Sequence, residues 1–277
     1  MILLDGKKLA QKILDGLKKE EILARNKIRL ALIMAGGNSA TKSFVAKKKK
    51  TAEELGVDFR IYEFPENIST NELRRKISPI AHKSGCDGMV IQLPLPPNIN
   101  VRYILNSVPP EKDVDVLSAP AAGRFVTGKE DVMPPVAGAV KEFLEEYKIN
   151  LDGKRVVVIG SGELVGKPVC WWFLNRKINF DLIEKNTEVP EDIIKKADIL
   201  ISGVGLQGFI KGNWIKKGAV VIDAGTSESE GKISGDVDFA SASSQAGFLT
   251  PVPGGVGPVT VAILFRNLIS LVKNKEK

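Results

Sequence analysis

The segment Lys154-Arg-Val-Val-Val-Ile-Gly160-Ser-Gly162-Glu-Leu-Val-Gly166-Lys-Pro168 limits the fold of this 277-residue chain more than any other. Its apolar run, residues 156–159, suits a strand buried on both faces, as in a parallel sheet. A parallel strand returns through a crossover, usually a helix, and never through a tight hairpin. The rest of the sequence agrees. Further β-rich runs lie at residues 180–183, 199–202 and 219–223, and earlier ones at 29–35, 58–62 and 88–92. Helical patterns fall between them, at 6–25, 41–55 and 70–83, then at 136–147 and 259–273. Residues 94–135, rich in proline, glycine and alanine, read as irregular. This alternation predicts an α/β fold with mostly parallel sheets in two domains.

The turn at Gly160 also carries chemistry. Gly160 and Gly162 let the backbone approach a pyrophosphate, with Ser161 between them, and the helix that follows offers amides and a positive dipole. Gly166 permits close packing of that helix on the strand. The spacing, G-x-G-x-x-x-G, is one residue longer than the usual dinucleotide fingerprint, and a purely structural strand-to-helix turn is the competing reading. Two later strands also end in glycine-rich turns, Gly203-Val-Gly205 and Asp223-Ala-Gly225. Ligands of doubly wound sheets bind outside such strand ends. After the second strand of this unit come Glu184 and Lys185. An acidic residue there favours NAD and a basic one favours the 2′-phosphate of NADP, so the choice stays open at this point.

Composition narrows the remaining classes. The two cysteines, Cys86 and Cys170, share no metal-like spacing, so neither a disulfide framework nor a metal site is expected. The net charge of +7 fits polyanionic small ligands as well as nucleic acid, but the lysines are scattered apart from residues 47–50. With aromatics at 6% there is no stacking platform, and no nucleic-acid partner is expected. The opening MILLDGKKLAQ does not read as a signal peptide, and no apolar run reads as a membrane span. A cytoplasmic protein without membrane attachment is the expectation.

One helix holds a lysine where a lysine is costly. On a 3.6-residue wheel Thr41, Phe44, Val45, Lys48, Ala52 and Leu55 share one face, while Lys47, Lys49 and Lys50 point away. Ser39 or Thr41 suits the start of this helix, and Gly56 the position past its end. Lys48 either snorkels from the helix edge or does chemistry. Desolvation lowers the pKa of an amine towards the range useful for proton transfer near neutrality. Phe44, one turn earlier, suits packing against a planar ligand. His82, the sole histidine, reads as a surface residue, and Trp171 and Trp172 read as core or interface packing.

Several segments together resemble one family. Pro251-Val-Pro-Gly254-Gly255-Val-Gly257-Pro258-Val-Thr260, Gln92-Leu-Pro-Leu-Pro96, Lys112-Asp-Val-Asp115 and Leu4-Asp-Gly-Lys7 are similar, in order and spacing, to motifs of the bifunctional methylenetetrahydrofolate dehydrogenase/cyclohydrolases (the FolD family). The resemblance covers essentially the whole chain. It implies oxidation of 5,10-methylenetetrahydrofolate with NADP, NAD remaining possible. Hydrolysis of the methenyl product to 10-formyltetrahydrofolate follows, supplying purine biosynthesis. By matched position, Lys48 is the catalytic lysine, Gln92 its partner and Asp115 the pterin-binding aspartate. Phe44, Leu93, Pro253, Gly254, Gly257 and Pro258 are then substrate-binding. Gly160, Ser161, Gly162, Val165, Lys185, Gly205, Gly225, Thr226 and Thr260 are cofactor-binding. The implied architecture is a catalytic domain over residues 1–138 and a Rossmann-like, doubly wound domain over 139–257, with the active-site cleft between them. The last helix, 258–277, packs back on the first domain. A homodimer through the cofactor domains is implied, with the hairpin near 231–239 as a contact.

The chain departs from the family pattern in places. Phe44 stands where the family has tyrosine, Val116-Leu-Ser-Ala119 follows Asp115 where the family reads Gly-Phe-His-Pro, and Ala121 precedes Ala122-Gly123-Arg124-Phe125 where the family carries an asparagine. Met133-Pro-Pro-Val136 replaces Pro-Cys-Thr-Pro, and Ser161 replaces a possible 2′-phosphate arginine. These changes bear on cofactor choice and on the balance of the two activities. The competing readings are a monofunctional dehydrogenase of the same family, a shikimate-type two-domain dehydrogenase, a folate-binding relic without turnover and a basic nucleic-acid binder.

Overall fold

A computed structural model describes residues 1–37, 39–83, 85–129, 132–184, 191–229 and 232–276. In chain order it runs β1 (Ile2–Leu3), α1 (Gly6–Leu17), α2 (Glu21–Arg25), β2 (Arg29–Ala35), α3 (Ser39–Leu55), β3 (Asp58–Phe64), α4 (Thr70–Ala81) and β4 (Gly88–Ile91). Then come α5 (Val101–Leu105), α6 (Ala119–Val126), α7 (Pro135–Glu146), β5 (Val156–Ile159), α8 (Gly166–Asn175), β6 (Phe180–Ile183), α9 (Glu191–Ile194) and β7 (Ile199–Ser202). The chain ends with β8 (Val220–Asp223), β9 (Ser227–Ser229), β10 (Lys232–Ser234), α10 (Phe239–Ala242), β11 (Phe248–Leu249) and α11 (Val256–Lys275).

The chain divides into two compact units, one of Met1–Gln11 with Val136–Thr260, the other of Lys12–Pro135 with Val261–Lys277. In the first, six parallel strands lie in the order β1-β11-β8-β7-β5-β6. The first eleven residues therefore sit with the dinucleotide-type sheet, because β1 pairs with β11. Strands β6 and β7 flank β5 on opposite sides, which makes the end of β5 a topological switch point. Beside this sheet, β9 and β10 form an antiparallel hairpin. In the second unit β2 is central between β3 and β4, all parallel. Its core gathers Ile33, Leu73, Ile77, Met89 and Ile104. The last helix begins in the first unit and, from Val261 on, belongs to the second.

The structure refines several sequence expectations. The helix expected over 6–25 is two helices, because Lys18-Lys-Glu20 offers no apolar side chain to hold another turn and the chain tightens there into three-residue bonds. Helix α3 starts at Ser39, so Thr41 lies inside the helix and does not cap it. Its end is as expected: Gly56 has φ +70, and the N–H groups of Gly56 and Val57 reach the carbonyls of Glu53 and Ala52. The stretch read as irregular contains α5 and α6, each capped by a side chain, Asn100 and Ser118. Helix α11, at 20 residues, is long and apolar enough to cross a membrane by length and composition, contrary to the reading of the sequence. Its apolar residues Val259, Ala262, Ile263, Phe265 and Leu268 are buried within the protein instead.

Candidate active site

Helix α3 turns its apolar face inward as the wheel requires: Thr41, Val45, Ala52 and Leu55 are buried, whereas Lys47, Lys49 and Lys50 are exposed. Phe44 and Lys48, on the same face, are half-buried. The ammonium of Lys47 lies 5.3 Å from the centre of the Phe44 ring. Lys48 Nζ donates to Gln92 Oε1 at 2.9 Å. Gln92, buried just beyond β4, has its amide orientation fixed because its Nε2 donates to the Leu93 carbonyl at 2.6 Å. Burial lowers the pKa of Lys48, and the charge of Asp115 opposes that shift. In return, burial pushes the Asp115 carboxyl up to about 6, with the Lys48 charge pulling it down and Asp113 pushing it up. The result is a desolvated amine and a carboxylate that feel each other's charge, with a neutral amide oxygen as acceptor.

The loop that carries Asp115 is fastened from several sides. The buried Asp113 carboxylate accepts the N–H groups of Leu117 at 3.0 Å and Ser118 at 2.7 Å. Lys112 Nζ reaches the Ala81 carbonyl at the end of α4, at 2.6 Å. Asn267, buried on α11, donates to the carbonyls of Val114 at 2.8 Å and Met133 at 2.7 Å. Between these anchors Val116 is held at φ +58, a region a β-branched residue rarely enters. Asp113 and Asn267 escaped the sequence reading. The signal for the first was its place in Lys112-Asp-Val-Asp115, and for the second only a polar residue inside an apolar helix.

The other unit presents the glycine-rich turns. Gly160 has φ +91 just past β5, and a Cβ on Gly166 would stand 1.7 Å from the Gly160 carbonyl oxygen. Only glycine allows helix α8 to start this close to the strand. Ser161, Gly162 and Val165 form the turn between them, with Val165 immediately before α8. Gly205 follows β7, and Gly225 and Thr226 follow β8, so all of these lie beyond the carboxyl ends of neighbouring parallel strands. Thr260 and Pro258 lie in the first turns of α11, where Thr260 Oγ1 donates to the Gly257 carbonyl at 2.7 Å. Pro253, Gly254 and Gly257 precede or open the same helix. This group of turns, which a side chain at Gly166 would push apart by striking the Gly160 backbone, suits a dinucleotide pyrophosphate. Lys185 lies outside the described residues. His82 is exposed, and Trp172 is buried against Phe173 with ring centres 5.0 Å apart. Among the described residues no group of histidine, cysteine and acidic side chains could hold a metal.

Two family models match the chain: the tetrahydrofolate dehydrogenase/cyclohydrolase catalytic domain over residues 4–115 and the NAD(P)-binding domain of the same enzymes over residues 134–276. The chain belongs to the tetrahydrofolate dehydrogenase/cyclohydrolase family. Among its relatives, the bifunctional protein FolD of Nautilia profundicola is 40% identical, over 100% of this chain and 99% of the relative. The bifunctional FolD methylenetetrahydrofolate dehydrogenase/cyclohydrolase of Campylobacter jejuni superposes with a TM-score of 0.93 at 36% identity, with 99% of each chain covered. The Trypanosoma brucei enzyme, solved with NADP cofactor and an inhibitor, also gives 0.93 at 33% identity, covering 100% of this chain and 98% of its own. Family membership accounts for the two glycine- and proline-rich signatures together and sets aside the shikimate-type reading.

Proposed function

We propose that this chain oxidises 5,10-methylenetetrahydrofolate to the 5,10-methenyl compound with NADP, and hydrolyses that product to 10-formyltetrahydrofolate. The observation that carries the reading is the hydrogen bond from Lys48 to Gln92 beside Asp115, on a chain that belongs to this family. Bound at the glycine turns, the dinucleotide accepts a hydride from the methylene carbon. The protein's own groups do the rest. Asp115 accepts hydrogen bonds from the donor edge of the pterin and so sets the position of the one-carbon unit. Phe44, Leu93, Pro253, Gly254, Gly257 and Pro258 are the residues assigned to substrate binding. Lys48, with its pKa lowered by burial, assists the attack of water and the proton transfers of ring opening, and Gln92 holds its amine in place without adding a negative charge.

Gly160, Ser161, Gly162, Val165, Gly205, Gly225, Thr226 and Thr260 hold the dinucleotide, and Lys185 gives NADP a modest preference against Glu184. The product is a formyl donor, and we infer a role in supplying purine biosynthesis from the cytoplasm, without nucleic-acid or membrane partners. We also infer a homodimer through the dinucleotide-binding units; the exposed Phe239, which opens α10 shortly after β10, supports this. The test is to give the purified protein methylenetetrahydrofolate with NADP and, in parallel, with NAD. Reduced dinucleotide should form with both, somewhat faster with NADP, and Lys185→Ala should erase the difference. No reduction with either would refute the reading.

A further inference from the structure

Two buried carboxylates that the chemistry above does not use lie next to the turns assigned to the dinucleotide. Asp223 ends β8 and Asp236 follows β10, and both are almost wholly shielded from water. They adjoin each other. The Asp236 N–H donates to Asp223 Oδ1 at 3.1 Å. A Cβ built on Gly225, two residues past Asp223, would stand 2.1 Å from the Asp236 carboxyl carbon. Two anionic groups are costly to bury together unless each is satisfied by donors. Their donors come from the end of β7, from the loops beyond β7 and β8, and from the backbone just past β10.

Asp236 Oδ2 accepts the Ser202 hydroxyl at 2.7 Å and the Val204 N–H at 2.7 Å, while its Oδ1 accepts the Leu206 N–H at 2.9 Å. The two backbone amides it holds flank Gly205. Asp223 Oδ1 accepts the Gly225 N–H at 3.0 Å, and its Oδ2 accepts the Val237 N–H at 2.9 Å. Asp223 is itself fixed, since its N–H donates to the buried Thr250 hydroxyl at 2.7 Å. Burial, reinforced by the charge of Asp236, pushes the Asp223 carboxyl up to about 7, and the Val237 N–H pulls it back. Each carboxylate therefore grips the backbone around one glycine of the assigned dinucleotide site, Gly205 or Gly225.

We propose that Asp223 and Asp236 are paired positioning residues that shape the loops at Gly205 and Gly225 to receive the dinucleotide, so that they govern dinucleotide affinity and not folate affinity. The proposal rests on the assignment of these turns to NADP. An asparagine at 236 keeps the size of the side chain but has one oxygen, and it cannot accept from both Val204 and Leu206. One amide beside Gly205 then faces an NH2 group. An asparagine at 223 is milder: its oxygen still serves Gly225 and Asp236, and only Val237 loses its acceptor.

The experiment measures NADP binding directly, by calorimetry, on the wild type, Asp236→Asn and Asp223→Asn, together with unfolding temperatures and steady-state kinetics. Asp236→Asn should weaken NADP binding about tenfold, and Asp223→Asn about threefold, in keeping with the cost of one lost acceptor. The KM for NADP should rise in step, while kcat at saturating NADP and the KM for methylenetetrahydrofolate stay within about twofold. If the wild type does not bind NADP, the assignment of the turns is wrong. If it binds and the folded Asp236→Asn variant binds equally well, the positioning role is overturned. Should Asp236→Asn fail to fold, Asp223→Asn decides in the same way. Weakening of folate and NADP binding alike would mark a general structural role and also overturn the proposal.

Discussion

Lys48 meets the amide oxygen of Gln92 in place of water. A carboxylate in the glutamine's place would hold the amine charged; an amide does not. Gln92→Glu should therefore raise the pKa of Lys48, set a carboxylate oxygen against the Leu93 carbonyl, and move the pH profile of methenyl hydrolysis to the alkaline side. An unchanged profile would mean that Gln92 does not tune Lys48. Asp115 makes a second prediction, with a sign to work out. Its carboxyl titrates near 6 in the folded protein, above the ordinary aspartate value of about 3.9. The folded state thus binds the proton more tightly than the unfolded chain, and ionised Asp115 weakens the fold as pH rises from about 4 through 6. Asp115→Asn should raise stability at pH 8 by ~1 kcal/mol, after the lost attraction to Lys48 is set against the relief. The gain should fade as pH drops below 6, and the KM for the folate substrate should rise about tenfold or more at every pH, as expected when an acceptor for bound donors is lost. Unfolding curves at pH 5 and pH 8 check the first part; equal effects at both would refute it.

At the scale of elements, the loop between α5 and α6 shows how packing overrides backbone preference. Val116 at φ +58 costs roughly 1–2 kcal/mol in backbone strain. Its side chain is 3% exposed, however, and deleting a buried side chain of this size costs roughly 2–3 kcal/mol. Packing outweighs strain, so Val116→Gly should destabilise the protein by about 1 kcal/mol although it relieves the backbone. Denaturant titration measures this, and a stabilised variant would mean that strain is the larger effect. The same loop marks a boundary of what the sequence discloses. The wheel of α3 is legible because side-chain direction in a helix follows from the 3.6-residue period, and the wheel alone puts Lys48 on an apolar face. The parallel strands were legible from their apolar runs, and β2, β6 and β7 have the expected bounds. Helices α5 and α6 were not, since each is short and depends on a cap and on tertiary contacts such as Asn106 accepting the Ala119 N–H at 2.8 Å. Asn267 was illegible for a related reason: its partners, Val114 and Met133, are more than a hundred residues away in sequence.

Over the whole molecule, the proposed function divides the work between the two units. The three-stranded unit holds Lys48, Gln92 and Asp115, and the six-stranded unit holds the glycine turns beyond β5, β7 and β8. On the proposed assignment the two activities call on different residues: hydride transfer on the turns, water attack on Lys48. The most direct test follows the methenyl intermediate by its absorbance while Lys48→Met and the wild type each turn over methylenetetrahydrofolate with NADP. General acid–base groups contribute about 10²–10⁴-fold. The wild type should show a methenyl signal that rises and then decays enzymatically. Lys48→Met, folded to the same unfolding profile, should lose that decay by at least about 10²-fold. Enzymatic decay of the methenyl signal at the wild-type rate in Lys48→Met would contradict a role for Lys48 in water attack, and with it the division of labour between the two units.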